Sequence, residues 1–319
     1  MTTKIYGGRW EVVRQCGEGG QAFVYLVRDS SEEHGGESVL KRLKNIDRFE
    51  RFKREIEAGR SLKHPLIAPI IDYSLEKPAF FVTPKYPGPL LEEYAPVQPL
   101  EALLLFIALC EAVAYAHSKG VFHRDLKPEN IILDEEQSPV ILDFGLCYFD
   151  DGTRLTTTME QVGSRFYMAP ELEAGRSDKV SAQVDSYALG KILYYLLSGK
   201  HLAREGYTGD GDLTKVLQDP QMDYVTSRIL TKSVLVIPSD RLPPKKLGEE
   251  ARKVMRLIQE HFYPGWVGSR CRFCGEGTYD RIPITTLHVR QPGIEHDVRF
   301  SPLICKNCGN IQWFITGEE

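Results

Sequence analysis

No long apolar run appears in this sequence. The longest uninterrupted one, Ala102 to Cys110, has nine residues. A helix that crosses a bilayer needs about 20, so this run reads as a buried helix and no membrane partner is expected. A secretory leader is also missing from the reading, because Met1 to Trp10 is polar and contains glycine, with no apolar stretch behind a basic start. The expectation is a soluble, cytoplasmic protein. Charge of one sign is scarce: 40 Lys and Arg stand against 44 Asp and Glu, a formal net charge of -4. That excludes a general basic field for nucleic acid and an acidic disordered chain. Internal repeats and low-complexity tracts are absent. The seven cysteines are odd in number and unevenly placed, which argues against a disulfide framework. What is present is ordinary for a globular chain, 42% hydrophobic and 26% charged. A length of 319 residues exceeds one average domain and falls short of three.

The first part alternates like strands. Trp10 to Cys16, Phe23 to Val27 and Ser38 to Leu43 are separated by the Gly-rich turn Gly17-Glu18-Gly19-Gly20 and by Gly35-Gly36, which predicts an antiparallel sheet. Phe49 to Leu62 has helical spacing, with Phe52, Ile56 and Gly59 on one face, and His64-Pro65 stops it. Runs at Leu66 to Ile71 and Ala79 to Thr83 are expected to complete the sheet. Pro84, Pro87, Gly88 and Pro89 mark a boundary. Beyond it, a buried helix is expected from Pro99 to Gly120, then short strands at Ile131 to Leu133 and Val140 to Leu142. Residues 143–171 form a long polar segment, and such loops are usually functional. Helices resume at Val184 to Leu197 and Gly248 to Gln259. Pro264-Gly265 reads as a second linker before a strand-rich end.

Transfer of a phosphoryl group from ATP needs a backbone cover for the phosphates, a cation to hold them, oxygens for magnesium and a base beside the acceptor hydroxyl. The stretch Gly17 to Val24 supplies the cover, with Gly17, Glu18, Gly19, Gly20, Ala22 and Val24 as nucleotide-contacting candidates. A Gly-rich turn alone is more often a plain hairpin turn. Lys41 adds weight, because a lysine inside an apolar strand needs an anion to offset its desolvation. Glu55 on the following helix is its expected partner, although a surface ion pair would leave the same trace.

The decisive strings are His123-Arg124-Asp125-Leu126-Lys127-Pro128-Glu129-Asn130 and Asp143-Phe144-Gly145. With them the chain resembles the protein kinase superfamily, over roughly residues 9–262. The resemblance implies an α+β bilobal fold, with a mainly β N-lobe over about 9–83 and a mainly α C-lobe over about 88–262. It implies that Asp125 is the base, that Asn130 and Asp143 hold magnesium, and that Lys41 grips the phosphates and pairs with Glu55. Lys127 would lie near the γ-phosphate, as is typical of serine/threonine kinases. Gly163 to Glu171 resembles the family's GT-x-x-Y-x-A-P-E, with Ser164 in place of threonine. Asp185 resembles the aspartate that braces the catalytic loop, and Arg241 the arginine that pairs with Glu171. Thr83 would guard the back of the adenine pocket and Lys85 would follow at the hinge. The departures are Ala22 for the third glycine and Pro84 where glutamate is frequent. Arg124 implies a phosphate on the long loop, where Thr153, Thr156, Thr157 and Thr158 are candidates for autophosphorylation.

Near the end, Cys271-x-x-Cys274-Gly275 and Cys305-x-x-Cys308-Gly309 are paired knuckles. Four thiolates suit structural zinc, with no position left open for water. Residues 266–319 therefore resemble a zinc ribbon, with Ile282, Ile284, Leu287, Val289 and Ile311 to Ile315 as strand residues. A redox dithiol or an iron–sulfur cluster are the alternatives. From Pro264 onward six Arg or Lys balance six Asp or Glu, so nucleic acid is not expected and a protein partner is. Against the main reading stand a pseudokinase scaffold, which the presence of Lys41, Asp125, Asn130 and Asp143 disfavours, and a small-molecule kinase, which Gly163 to Glu171 disfavours.

Overall fold

The computed structural model describes residues 4–18, 22–31, 33, 35–144, 166–173, 182–262, 279–281, 298–305 and 311–318. For 51, 259–262 and the last three stretches the description covers the backbone. The chain divides into two compact units, Met1–Ala251 and Arg252–Glu319.

The first unit opens with a six-stranded sheet in the order β1-β2-β3-β4-β6-β5. Its strands are β1 (Ile5–Tyr6), β2 (Trp10–Glu18), β3 (Ala22–Asp29), β4 (Glu37–Leu43), β5 (Asp72–Ser74) and β6 (Phe80–Pro84). All neighbours are antiparallel. Side chains alternate across a strand, and the core divides accordingly. Leu40 joins Tyr6, Trp10, Tyr25, Val27, Phe80 and Val82 in one cluster. Leu43 joins Phe52, Ile56, Ala79 and Phe81 in the other, against helix α1 (Phe49–Ser61). Lys41, two residues before Leu43, shares the α1 face.

Two local expectations are corrected, and one strand is added. Strand β2 runs on through Gly17 and Glu18, so the turn begins later than the glycines suggest. The run Leu66 to Ile71 is not a strand, and β5 begins at Asp72. Instead Ala68 N donates to Ile141 O at 3.0 Å and Ile141 N to Leu66 O at 2.9 Å. Leu66, Ile67 and Ala68 are buried because they seam the sheet to the second lobe. Strand β1 was not anticipated, since two residues are too short for a pattern.

The helical lobe is built on α2 (Pro99–Ser118) and α3 (Gln183–Ser198). By length and composition α2 could cross a membrane, but two-thirds (67%) of its most apolar window is buried in the fold. Leu103, Phe106, Leu109 and Val113 are fully buried. On α3, residues Val184 to Leu197 are buried without interruption. A hairpin, β7 (Ile131–Leu133) and β8 (Pro139–Ile141), follows α2. Helix α4 (Pro244–Phe262) ends the lobe, and the division between the units falls within it.

In the second unit, β9 (Tyr279–Arg281), β10 (Val298–Cys305) and β11 (Ile311–Glu318) form an antiparallel sheet in the order β11-β10-β9. Ile282, Ile284, Leu287 and Val289, expected in strands, lie outside the described residues.

Candidate active site

Strand register puts Lys41 opposite Val24 on β3 and Phe81 on β6. On α1, Glu55 shares the face of Phe52, Ile56 and Gly59, because residues three and four apart line one side. It is buried as a result. Gly59 lets Ile70 approach closely: a Cβ there would meet Ile70 Cδ1 at 2.7 Å, and that side chain would have to shift.

The other half of the site comes from the loop 123–130 and from Asp143, two residues after β8. Ile131 faces Ile141 in the hairpin, and Leu142 N donates to Asn130 O at 2.8 Å. The hairpin base therefore brings Asn130 beside Asp143, across 13 positions of sequence. Asn130 Nδ2 donates to Asp125 O at 2.8 Å and to Asp125 Oδ2 at 3.2 Å. Lys127 Nζ stands 3.5 Å from Asp125 Oδ2. Lys41 Nζ forms an ion pair with Asp143 Oδ2. Burial works to lower the pKa of Lys41, but Asp143 first and Glu55 next outweigh it, so the ammonium is held above its ordinary value. The ion pair with Asp143 was not expected from sequence; the expected partner, Glu55, supplies the next strongest attraction.

Asp185, on α3, fixes this loop from beneath. Its Oδ2 accepts from His123 N at 2.9 Å and its Oδ1 from Arg124 N at 2.8 Å. His117 Nε2 lies 2.7 Å from Oδ2, a contact the sequence reading missed. Burial opposes ionisation of Asp185, yet these partners, His117 foremost, hold its pKa below the ordinary carboxylate value. Arg124 and Asp143 have φ of 64° and 56°, a region uncommon for residues other than glycine. His123 Nε2 lies 3.0 Å from Leu142 O, and the His123 ring meets Phe144 edge-on at 4.8 Å. Farther off, Arg241 clamps Glu171 with bonds of 2.6 and 2.8 Å, as the resemblance implied.

The remaining described nucleotide candidates sit on or next to interior strands of the sheet. Gly17 and Val24 are paired across β2 and β3, and Ala22 opens β3. Glu18 is engaged by Lys44. Gly19 and Gly20 lie outside the described residues. Thr83 is opposite Val39 on β4. The Lys85 side chain turns to Glu37 at 2.8 Å. Among the described residues no group of three or more His, Cys, Asp or Glu could hold a metal ion. The amide oxygen of Asn130 and the carboxylate of Asp143 do fit magnesium, which takes one or two protein oxygens and completes its shell with phosphate and water. Cys271, Cys274 and Cys308 lie outside the described residues, and Cys305 ends β10.

A curled sheet and a helical lobe that bring together a lysine, an aspartate pair and an asparagine define the bilobal kinase class of fold. Residues 10–256 match the family described as protein kinase domain, and the chain belongs to that family. It is similar to the serine/threonine-protein kinase PrkC of Bacillus subtilis, 35% identical over 207 residues, 62% of this chain and 31% of the relative. The DNA damage-responsive serine/threonine-protein kinase RqkA of Deinococcus radiodurans is 36% identical over 227 residues, 67% of this chain and 33% of the relative. PknB of Mycobacterium tuberculosis is 30% identical over 241 residues, 70% and 37% of the two chains. The chain thus aligns with about a third of each of these relatives (31%, 33% and 37%).

Proposed function

We propose that this chain is an ATP- and magnesium-dependent protein kinase that phosphorylates serine and threonine hydroxyls of proteins in the cytoplasm. The observation that carries the reading is that Lys41 pairs with Asp143, that Asn130 and Lys127 flank Asp125, and that the hairpin base joins the two sets. Asp125 accepts the acceptor hydroxyl's proton, and Asn130 orients its carboxylate. Lys127, 3.5 Å away, offers positive charge where the transferred group gains negative charge. Lys41, its ammonium favoured by the carboxylates of Asp143 and Glu55 against the cost of burial, grips the phosphates. Magnesium, when bound at Asn130 and Asp143, supplies neutralisation of phosphate charge. Arg124 is the reader of a phosphate added to Thr153, Thr156, Thr157 or Thr158, all four outside the described residues.

The second unit is read as a structural zinc ribbon that contacts a protein partner. Two observations support this. Cys305 closes β10 and pairs with Tyr279 at the start of β9, and Tyr279 follows Cys274 by five residues. Both Cys-x-x-Cys strings therefore adjoin, in sequence, the same end of the sheet.

The test is incubation of the purified chain with labelled ATP, magnesium and an acceptor protein, beside Asp125→Asn. Removal of a general base costs about 10²–10⁴-fold in rate. Equal labelling by both proteins would remove the assignment of the base.

A further inference from the structure

The loop after α3 makes contacts that phosphotransfer chemistry does not use. Gly199, with φ of 66°, ends the helix in the left-handed conformation. Residues 200–205 are then fastened back onto it. Lys191 Nζ donates to Leu202 O at 3.1 Å, Tyr187 OH donates to Glu205 Oε1 at 3.0 Å, and Leu202 is buried.

From this anchored loop two links reach the segment 166–173, which leads into Glu171. Arg204 Nη2 lies 3.6 Å from Glu173 Oε2. The His201 ring stacks on Phe166, with centroids 4.9 Å and planes 8° apart. Its Nδ1 lies 3.0 Å from Tyr167 OH. The same ring stacks on Tyr195 of α3 at 5.1 Å and 17°, and Tyr195 OH donates to Glu92 O at 2.9 Å. One imidazole therefore joins Phe166 and Tyr167 to the helical core. Burial, and then the carboxylate of Glu129, push the Tyr167 hydroxyl above its ordinary pKa. Glu92 belongs to the short helix Leu91–Tyr94, which packs against Pro128–Asn130, so the His201 cluster stands beside the loop that carries the base. Tyr167 and Tyr195 are buried whereas His201 is exposed. Its removal opens no core cavity.

We propose that His201 is a positioning residue for the acceptor protein: by stacking it holds Phe166 and Tyr167 as a fixed wall beside the Asp125 loop. This rests on the protein kinase reading given above. None of the His201 contacts described reaches Lys41, Asn130 or Asp143, so the nucleotide side of the reaction is independent of it.

The test uses the full chain with His201→Ala and His201→Phe. Hydrogen–deuterium exchange at amides 166–169, measured without nucleotide, is expected to be about tenfold faster in His201→Ala. In His201→Phe, which keeps an aromatic ring for stacking, it returns toward the parent rate. Steady-state kinetics with myelin basic protein as acceptor should show its KM raised about tenfold in His201→Ala. The KM for ATP and kcat should stay within about twofold, and His201→Phe should restore the acceptor KM. Unchanged exchange in His201→Ala, failure of His201→Phe to restore it, or a parallel rise of both KM values would overturn the proposal. If the parent chain transfers no phosphate, the kinase reading and the acceptor role fall together. The exchange arm then still decides whether His201 holds the segment.

Discussion

Lys191 shows how one side chain can work against the fold that contains it. It lies on α3, almost fully buried, with Nζ donating to Leu202 O. Burial pulls its pKa down from 10.5 to about 8, with Glu205 and Glu173 offsetting part of that cost. The unfolded chain therefore binds the extra proton between these two values, and stability rises with pH across that window. Below pH 8 the cost is fully present. A shift of this size corresponds to about 3 kcal/mol, while the bond to Leu202 returns about 1 kcal/mol. Lys191→Met is expected to be more stable than the parent at pH 7, with the gap closing toward pH 10.5. Chemical denaturation at a series of pH values measures it, and a gap independent of pH would refute the account. Arg124 also belongs to this scale. Its backbone is fixed by Asp185, and its guanidinium is the proposed reader of a loop phosphate. Mass spectrometry after incubation with ATP and magnesium should find phosphate on Thr153, Thr156, Thr157 or Thr158. A loop without phosphate would end that assignment.

At the scale of elements, close approach decides what glycine does. Gly190 sits in the middle of α3, where glycine costs a helix about 1 kcal/mol relative to alanine. The structure gives the compensation: a Cβ there would lie 2.2 Å from Ser233 Oγ and 2.7 Å from Val234 Cγ2. Alanine would improve the helix and still break the packing of α3 on the chain at 233–234. Gly190→Ala is expected to destabilise the first unit by about 1–3 kcal/mol, read as a lower denaturant midpoint with an unchanged slope. A midpoint equal to the parent's would show that the neighbouring segment yields freely. The β7–β8 hairpin is the other decisive element. Its register alone carries Asn130 to Asp143, so two oxygens suited to one cation come from strings that are separate in sequence.

For the whole molecule, the two units carry separate predictions. The first has an extensive apolar interior, which includes Trp10, residues of α2 and α3, and Leu247. The second has few residues from which to build a core, and small domains of that kind usually need a metal or a disulfide. About one zinc per chain is expected on elemental analysis of the purified protein. A chelator should abolish a separate unfolding transition of the second unit and leave that of the first. Cys271→Ser should do the same without chelator. Substantially less than one zinc per chain would count against the ribbon.

The sequence by itself determined the family. Lys41, Asp125, Asn130 and Asp143 were legible as site candidates because the strings that carry them resemble those of protein kinases. The strands β3, β4 and β6 and helices α1 to α3 were legible because one apolar face leaves a period in the sequence. Only the tertiary structure decided what depends on distance between segments remote in the chain. It turned the apolar run at Leu66 into a seam instead of a strand. It paired Lys41 with Asp143, and it set His201 against Phe166, Tyr167 and Tyr195. The physical reason is range: periodicity and propensity act over a turn or a strand pair, whereas ion pairs, ring stacking and close approach depend on where the folded chain returns.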